Sequence, residues 1–356
     1  MKAAIVGCGK IADAHVEEIR KIPTAQLVAV CDLEPIMAEQ LAVRYGIPRQ
    51  YVDVTEMLER ERPDVLHITT PPQSHLQLAR LAFDAGCHVF LEKPVALSCF
   101  EVKRIVDAAR ASHRKLTVNY WPNFEVQALE LRRLCEEGIL GDPVHIESML
   151  GYNLAGEFGM AIKHDPDHWV RRMPGMLFQN VLDHVLNKIV PFIDDEQPAV
   201  HACAYQLENA GGRADGLLDE LRVLIRGAKV SAYATFSSHA RPIGHVLRVY
   251  GTLNTAHIDS NARTIVLERP QSIPSSLGRL IPPFLAARDY FGQGLRNVRR
   301  FSGARFHFFD GMRELLTRFY SCIEDESSPP IAYQDIVRVS EIMEQVFDQV
   351  YPKVFA

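Results

Sequence analysis

Short apolar runs alternate with amphipathic stretches along the first 120 residues. The apolar runs cover 3–6, 27–31, 65–69, 88–91 and 116–119. Between them, over 11–22, 35–45, 74–85 and 98–111, apolar residues recur at spacings of three and four residues, as on one face of a helix. This alternation is typical of parallel strands joined by crossover helices. It predicts an α/β fold in which five or six parallel strands form a doubly wound sheet.

The alternation of apolar runs and amphipathic stretches ends near Pro122. A helix is predicted over 126–137, a strand over 144–150 and, after a long loop, a helix near 176–193. The strand-like runs that follow are 199–207, 220–226, 229–237, 245–251, 256–260 and 264–268; segment 270–305 lacks a clean period, and helices at 309–322 and 333–350 end the chain. Strands joined by short turns predict a large, mostly antiparallel sheet in a C-terminal α+β domain.

The length and composition fit two ordinary globular domains. A chain of 356 residues exceeds what one core usually organises, so we predict domains at 1–121 and 122–356, with the last helix free to pack back on the first domain. The net charge of -5 comes from mixed signs, so no nucleic-acid partner is expected. Seven cysteines without a Cys-x-x-Cys spacing are expected to be reduced. No apolar membrane span and no signal-peptide layout is recognised, which favours a cytoplasmic protein without a membrane partner.

The first predicted strand runs into a Gly-x-Gly-x-x-Ala turn and then a helix. Gly7 permits a tight turn, Gly9 lets the backbone approach a pyrophosphate, and the small Ala12 lets helix and strand pack closely. Lys10 and Ile11 begin the helix, whose free amides and dipole favour phosphate groups. The turn predicts a Rossmann-type dinucleotide-binding domain, although a purely structural glycine turn is the alternative.

An acidic residue stands where such a domain would bind a ribose. Asp32 ends the second predicted strand, about 20 residues past the glycine turn, where a carboxylate accepts hydrogen bonds from the adenosine ribose hydroxyls. No arginine follows it immediately to pair with a 2′-phosphate, so NAD is predicted rather than NADP. The alternative is that Asp32 caps the helix that begins near Pro35.

Two further strings carry a family resemblance. One is Val-Leu-His-Ile-Thr-Thr-Pro-Pro-Gln-Ser-His, ending at His75, and the other is Ala-Gly-Cys-His-Val-Phe-Leu-Glu-Lys-Pro, ending at Pro94. With the glycine turn, they resemble the Gfo/Idh/MocA oxidoreductases, named for glucose-fructose oxidoreductase and inositol dehydrogenase. The resemblance implies NAD as cofactor and adds four residues to the predicted cofactor pocket: Thr70, Pro71, His75 and Glu92.

Lys93 is the main catalytic candidate. The resemblance implies that Lys93 lies beside the nicotinamide and contacts the substrate hydroxyl, with Pro94, after a cis bond, fixing its direction. Independently, a strand end in an open parallel sheet faces the crevice where ligands bind, and a lysine near a positively charged ring gives up its proton readily. It could then shuttle a proton. The alternative is a surface lysine paired with Glu92.

A second part of the site is implied for the C-terminal domain. The family places an Asp there, followed four residues later by a His on the same helix; here Asn180 precedes His184. Asn180 can orient a hydroxyl or carbonyl group, but it cannot accept a proton. Proton transfer then falls to His184, Lys93 or both, while Asp183 is interpreted as a structural partner. His184 as an ordinary core histidine is the alternative.

Several other polar side chains are candidate substrate contacts. Tyr120 and Trp121 follow the last parallel strand in place of the family's arginine-containing string. A histidine-rich loop adds His164, His168, Trp169 and Arg172. Proline within this loop and the lack of regular spacing argue against a metal site, so no metal is predicted.

The segment 273–305 combines arginines with Leu, Phe and Pro. Its arginines are Arg279, Arg288, Arg296, Arg299, Arg300 and Arg305. They could grip a phosphorylated or nucleotide-linked substrate, touch a membrane surface or line a subunit interface. A homo-oligomer, dimer or tetramer, is expected.

The resemblance implies dehydrogenation of a secondary hydroxyl on a sugar, sugar derivative or cyclic polyol, with hydride passing to NAD. Two alternatives stay open. One is a redox-neutral elimination, hydrolysis or epimerisation in which NAD is reduced only transiently. The other is a non-catalytic, cofactor-binding regulatory protein, which the asparagine at position 180 makes conceivable.

Overall fold

The computed structural model describes residues 1–207, 217–270, 278, 280–303 and 306–351. The chain forms two compact units, Met1–Phe124 with Phe309–Ser340, and Glu125–Phe308 with Glu341–Ala356. This differs from the predicted division at residue 121, because the first unit also takes in a later stretch of the chain.

The N-terminal unit contains a parallel sheet of six strands in the order β3-β2-β1-β4-β5-β6. Its strands are β1 Lys2–Val6, β2 Gln26–Cys31, β3 Arg49–Tyr51, β4 Val65–Ile68, β5 His88–Leu91 and β6 Leu116–Val118. Its crossover helices are α1 Lys10–Ile19, α2 Pro35–Tyr45, α3 Val54–Glu61, α4 His75–Asp84 and α5 Cys99–Ala111. The predicted doubly wound sheet is confirmed. Strand β3 was not predicted, because its sequence Arg-Gln-Tyr offers no apolar run. Helix α3 was not predicted either.

The strands of this sheet are buried on both faces, as their apolar sequences require. Ala3, Ala4 and Ile5 of β1 and all four residues of β4 and β5 are buried. The strand order reverses between β1 and β4, and ligands of open α/β sheets bind at such a reversal, outside the carboxyl ends of the strands. The candidate cofactor residues lie at these ends.

The C-terminal unit contains a sheet of seven strands in the order β13-β12-β11-β7-β10-β9-β8. The strands are β7 Pro143–Gly151, β8 Ala199–Tyr205, β9 Glu220–Arg226, β10 Ser231–Ser237, β11 His245–Gly251, β12 Thr255–Asp259 and β13 Thr264–Glu268. Only β7 and β10 pair in parallel, which confirms the mostly antiparallel prediction. Strand β9 alternates buried Leu221, Val223 and Ile225 with outward Arg222 and Leu224, so one face of the sheet packs inward.

The helices differ from the prediction in three places. The remaining helices are α6 Val126–Glu136, α7 Glu157–His164, α8 Met176–Val181, α9 Asp183–Leu186, α10 Ile281–Ser302, α11 Asp310–Glu324 and α12 Tyr333–Val350. Helix α7 occupies part of the expected long loop, a turn at Leu182 divides the expected helix near 176–193, and α10 lies in the segment without a clean period. Within the described residues, no helix is both long and apolar enough to cross a membrane.

Candidate cofactor and active site

Gly7 follows β1 in a backbone conformation that favours glycine. Its φ is +96°, and a Cβ at this position would lie 2.8 Å from the backbone of Thr69 and of Thr70 after β4. The Gly7 amide donates to the carbonyl of Cys31 at 2.8 Å. Glycine is therefore required here both by the turn and by the close approach of the neighbouring strand end.

Gly9 is the N-cap of α1 and faces open space. A Cβ at Gly9 would meet no atom within 4 Å, and no side chain in the described residues caps this ten-residue helix. The Ala12 amide donates to the Gly9 carbonyl at 2.9 Å, which leaves the Lys10 and Ile11 amides of the first turn for an external acceptor. Ala12 is fully buried. An open helix start after a glycine turn fits the pyrophosphate of a dinucleotide.

Asp32 is fixed beside this turn. Its Oδ2 accepts a hydrogen bond from the Cys8 amide at 2.6 Å, and its Oδ1 accepts one from the Glu34 amide at 2.9 Å. Each carboxylate oxygen keeps lone pairs for a further donor such as a ribose hydroxyl. Helix α2 has Glu34 as its N-cap, so Asp32 precedes the cap.

Lys93 is the second residue after β5 and is half-buried. The peptide bond between Lys93 and Pro94 is cis. The Lys93 backbone amide donates to Glu92 Oε2 at 3.2 Å. The side chain of Glu92 therefore helps to fix the backbone at Lys93.

His75 connects the loops that follow β4 and β5. It is fully buried, with Nε2 2.8 Å from the carbonyl oxygen of Thr70 and Nδ1 3.0 Å from that of Val95. Burial lowers its pKa, so the ring is neutral and donates to one of the two carbonyls. Pro71 is exposed at the start of this connection. His75 thus positions the loop that carries Lys93.

A buried polar cluster surrounds Glu92, which is 6% exposed. Glu92 Oε1 accepts a hydrogen bond from Asn119 Nδ2 at 2.6 Å and lies 2.8 Å from His15 Nε2. Burial raises the pKa of Glu92, but the hydrogen bonds from His15 and Asn119 and the charge of Lys93 outweigh it and hold the pKa below its usual value. Glu92 therefore keeps its negative charge beside Lys93.

The cluster continues away from Glu92 as a chain of hydrogen bonds. His15 Nδ1 lies 3.0 Å from His67 Nδ1, and His67 Nε2 lies 2.9 Å from the Tyr320 hydroxyl. Burial holds the pKa of His67 well below its usual value, so its ring is neutral. Both ring nitrogens of each histidine have a partner when Tyr320 donates to His67, His67 to His15 and His15 to Glu92. We call Glu92, Asn119, His15, His67 and Tyr320 the Glu92 cluster.

Sequence analysis did not select His15, His67, Asn119 or Tyr320. The available signal was a polar residue inside an apolar segment, such as His67 between Leu66 and Ile68, because buried polar groups need partners. The partners themselves are far apart along the chain.

The C-terminal candidates lie on two short helices. Asn180 belongs to α8 and is 9% exposed, whereas His184 belongs to α9 and is half-buried. Asp183 is buried. The turn at Leu182 means that the spacing of four between Asn180 and His184 does not lie within one regular helix. Lys93 is part of the N-terminal unit, so its action on a shared substrate with His184 stays a prediction.

The remaining predicted substrate contacts occupy varied positions. Tyr120 is buried at 2% exposure, and Trp121 packs edge-on against Phe309 with ring centres 6.1 Å apart. His164 is exposed at the end of α7.

The loop after α7 is partly ordered by its own polar groups. His168 Nδ1 accepts from the Val170 amide at 3.3 Å and caps a short 3-10 helix, Trp169–Arg172, whose Trp169 is half-buried. Arg172 is exposed and pairs with Asp167 at 3.2 Å. Among the residues described by the structure, no group of three metal-ligating side chains converges here or elsewhere.

The comparison with protein families decides the assignment of the N-terminal unit. Residues 1–120 match the model of an oxidoreductase family with an NAD-binding Rossmann fold. This stretch is similar to the Gfo/Idh/MocA oxidoreductases. The predicted resemblance and the predicted NAD-binding domain are confirmed.

Two curated relatives show how far the Gfo/Idh/MocA similarity extends. D-glucoside 3-dehydrogenase of Escherichia coli (strain K12) is 32% identical over 143 residues, which is 40% of this chain and 41% of the relative. Trans-1,2-dihydrobenzene-1,2-diol dehydrogenase of Danio rerio is 30% identical over 166 residues, 46% of this chain and 50% of the relative. The matched region thus spans half or less of either relative.

Solved structures share the fold over nearly the whole chain. An NAD binding oxidoreductase from Klebsiella pneumoniae has a TM-score of 0.79 at 19% identity and covers 99% of this chain and 97% of its own. The WlbA dehydrogenase from Bordetella pertussis, solved in complex with NADH and UDP-GlcNAcA, has a TM-score of 0.77 at 17% identity and covers 99% and 96%. At such identities the likeness shows the fold.

Proposed function

We propose that the protein is an NAD-dependent dehydrogenase that oxidises a secondary hydroxyl of a sugar, sugar derivative or cyclic polyol. The observation that carries this proposal is Lys93 at the end of β5, next to a carboxylate that stays ionised although it is buried. The Gfo/Idh/MocA similarity of residues 1–120 supports the choice of cofactor. Relatives named dehydrogenases of a glucoside and of a diol support the substrate class.

Three features of the N-terminal unit would hold the cofactor. The Gly7 turn brings the backbone close, the open first turn of α1 after Gly9 supplies amides for the pyrophosphate, and Asp32 supplies acceptors for the ribose hydroxyls. Bound NAD supplies the hydride acceptor. The absence of an arginine directly after Asp32 supports a preference for NAD over NADP.

Lys93 is proposed to act as the general base. Its Nζ takes the proton from the substrate hydroxyl while the hydride leaves the carbinol carbon, and a carbonyl product forms. The Glu92 cluster and His75 hold the backbone around Lys93 in place, so less reorganisation is needed at the moment of transfer.

The C-terminal residues are proposed to orient the substrate. Asn180 has a carboxamide that can donate to or accept from a hydroxyl, and His184 can share the proton transfer. The proposed substrate wall further includes Tyr120, Trp121, His164, His168, Trp169 and Arg172.

The test is a panel of sugars, polyols and nucleotide sugars assayed with NAD and with NADP. The absorbance of the reduced cofactor and the identity of the product are followed together. We expect stoichiometric NADH and a clear preference for NAD. Product formation without NADH would support redox-neutral chemistry instead, and saturable ligand binding without any product would support a regulatory protein. Equal use of NADP would contradict the role given to Asp32.

A further inference from the structure

Helix α10 packs on the C-terminal sheet with its polar side. Gln293 is the one buried residue of this helix within the part of the chain described, at 7% exposure, and its Nε2 donates to the carbonyl of Ile265 in β13. Asn297, four residues later, donates to the carbonyl of Ala262 at 2.9 Å. These two amides fix the rotation of the helix about its axis, so its opposite side faces outward.

The outward side of α10 is apolar. Phe284, Phe291, Leu295 and Val298 are 76%, 70%, 56% and 65% exposed, and their spacings of seven, four and three residues place them in one stripe. Phe301, 74% exposed, lies at the edge of this stripe. At 1.5 Å per residue, the stripe from Phe284 to Val298 is about 21 Å long. A contiguous apolar stripe of this length marks a surface that meets a partner.

The stripe is accompanied by positive charge. The helix carries Arg288, Arg296, Arg299 and Arg300, and its single carboxylate, Asp289, already pairs with Arg288 at 3.0 Å. Arg279 and Arg305 lie outside the described residues. The chain as a whole has a net charge of -5, so this cationic helix stands out from an otherwise acidic molecule.

The charge decides between the two simplest partners. In a symmetric contact between two copies of α10, the same arginines would face one another, with one carboxylate per helix to compensate. An anionic bilayer surface has the complementary charge: apolar side chains enter the acyl region, and guanidinium groups meet lipid phosphates.

We propose that the apolar, arginine-flanked face of α10 docks on the surface of an anionic phospholipid bilayer. The helix lies along the interface, and the rest of the chain stays in the aqueous phase. The proposal takes up the membrane-surface alternative that the sequence left open for 273–305 and differs from the expectation of no membrane partner. It is independent of the proposed dehydrogenase activity.

The test is co-sedimentation of the full chain with vesicles of phosphatidylcholine containing phosphatidylglycerol, and with vesicles of phosphatidylcholine alone. We expect binding to the anionic vesicles that weakens as salt is raised, and little binding to the neutral ones. The triple variant F291S/L295S/V298S should bind at least about 10-fold less. The matched control F100S removes an equally exposed phenylalanine, 66% against 70% for Phe291, and should bind like the wild type.

A second variant tests the charge. R288Q/R296Q/R299Q should lose binding to anionic vesicles to a similar extent while keeping the circular dichroism spectrum of the wild type. Wild-type protein that stays in the supernatant with anionic vesicles at low salt would overturn the proposal. So would a lower molar mass of F291S/L295S/V298S in light scattering without lipid, since that result would make the stripe a contact between copies.

Discussion

The two units bury ionisable groups in opposite ways. In the N-terminal unit, the Glu92 cluster surrounds a carboxylate with hydrogen-bond donors, and the pKa of Glu92 falls despite burial. In the C-terminal unit, Lys188 Nζ lies 2.6 Å from His245 Nε2, and both groups are cationic when protonated. Burial lowers the pKa of Lys188 to about 8, although Glu125 opposes it, and burial together with Lys188 lowers the pKa of His245 to about 3.

The difference shows that partners, more than depth, decide whether a buried group keeps its charge. The hydrogen-bond donors of the Glu92 cluster favour a negative charge on the residue before Lys93. The pair of Lys188 and His245, which we call the Lys188 pair, holds at most one charge and becomes less favourable as protons are added. The first arrangement suits a catalytic neighbour, and the second makes stability depend on pH.

The largest expected effect is on stability, in Glu92→Leu. The substitution leaves His15 Nε2 and Asn119 Nδ2 buried without their acceptor, and breaking a buried charged network costs about 3–5 kcal/mol. The free energy of unfolding from denaturant titration measures it. The exposed Glu59→Leu serves as control and should change by no more than about 0.5 kcal/mol. A loss of similar size in both variants would show that the Glu92 cluster is not a stabilising unit.

The next largest effect is expected in the pH dependence of the free energy of unfolding, through His245 of the C-terminal unit. The ordinary pKa of 6.5 applies to His245 in the unfolded chain, and the folded value is about 3. The unfolded state therefore binds an extra proton between these values, and the free energy of unfolding should fall as pH drops below 6.5. In Lys188→Met this fall should be shallower, because one cause of the lowered pKa is gone. An unchanged slope would show that Lys188 is not a cause of the lowered pKa of His245.

Lys188→Met should itself have a small effect at neutral pH. Replacing a buried cation by an apolar side chain of similar length removes its desolvation cost, so the free energy of unfolding should stay within about 1 kcal/mol of the wild type or rise. Denaturant titration beside Glu92→Leu gives a direct contrast. A loss as large as that of Glu92→Leu would break the comparison, since both clusters would then depend on their charge.

The smallest expected effect is a shift in the pH–rate profile when a carboxylate is added near His184. Asn180→Asp should raise the pKa of His184 and move the acid limb of kcat/KM to higher pH, whereas His184→Ala should abolish that limb. Asn180→Ser is the neutral control. If the limb is the same in all these proteins, His184 does not titrate in the reaction and Lys93 carries the proton transfer alone.

Local patterns in the sequence predicted most of the N-terminal unit. Apolar runs that alternate with amphipathic stretches indicated five of its six strands. The Gly7 turn and Lys93 were selected as candidates because their chemistry is encoded in adjacent residues. Strand β3 escaped because its three residues, Arg-Gln-Tyr, are polar or exposed. The Glu92 cluster was not predicted, because it depends on contacts such as that between His67 and Tyr320, which are 253 residues apart along the chain.

The C-terminal unit was harder for physical reasons of its own. Its alternating strands were predictable, since one face is buried and the other is not. Helix α10 was not recognised, because its apolar residues face outward and amides such as Gln293 face the sheet, which inverts the usual pattern. Leu182, where the helix is divided, has helical φ and ψ values of -69° and -31°. The division therefore has no helix-breaking residue by which the sequence could have predicted it.

The most direct test of the central claim is Lys93→Ala, assayed with a substrate found in the panel. We expect the affinity for NAD, measured by fluorescence titration, to stay nearly unchanged. Turnover should fall by about 100-fold or more, the scale for losing a general base. Lys229→Ala, which removes an exposed lysine between β9 and β10, is the control and should keep its turnover. Wild-type turnover in Lys93→Ala would contradict the assignment of Lys93 as the base.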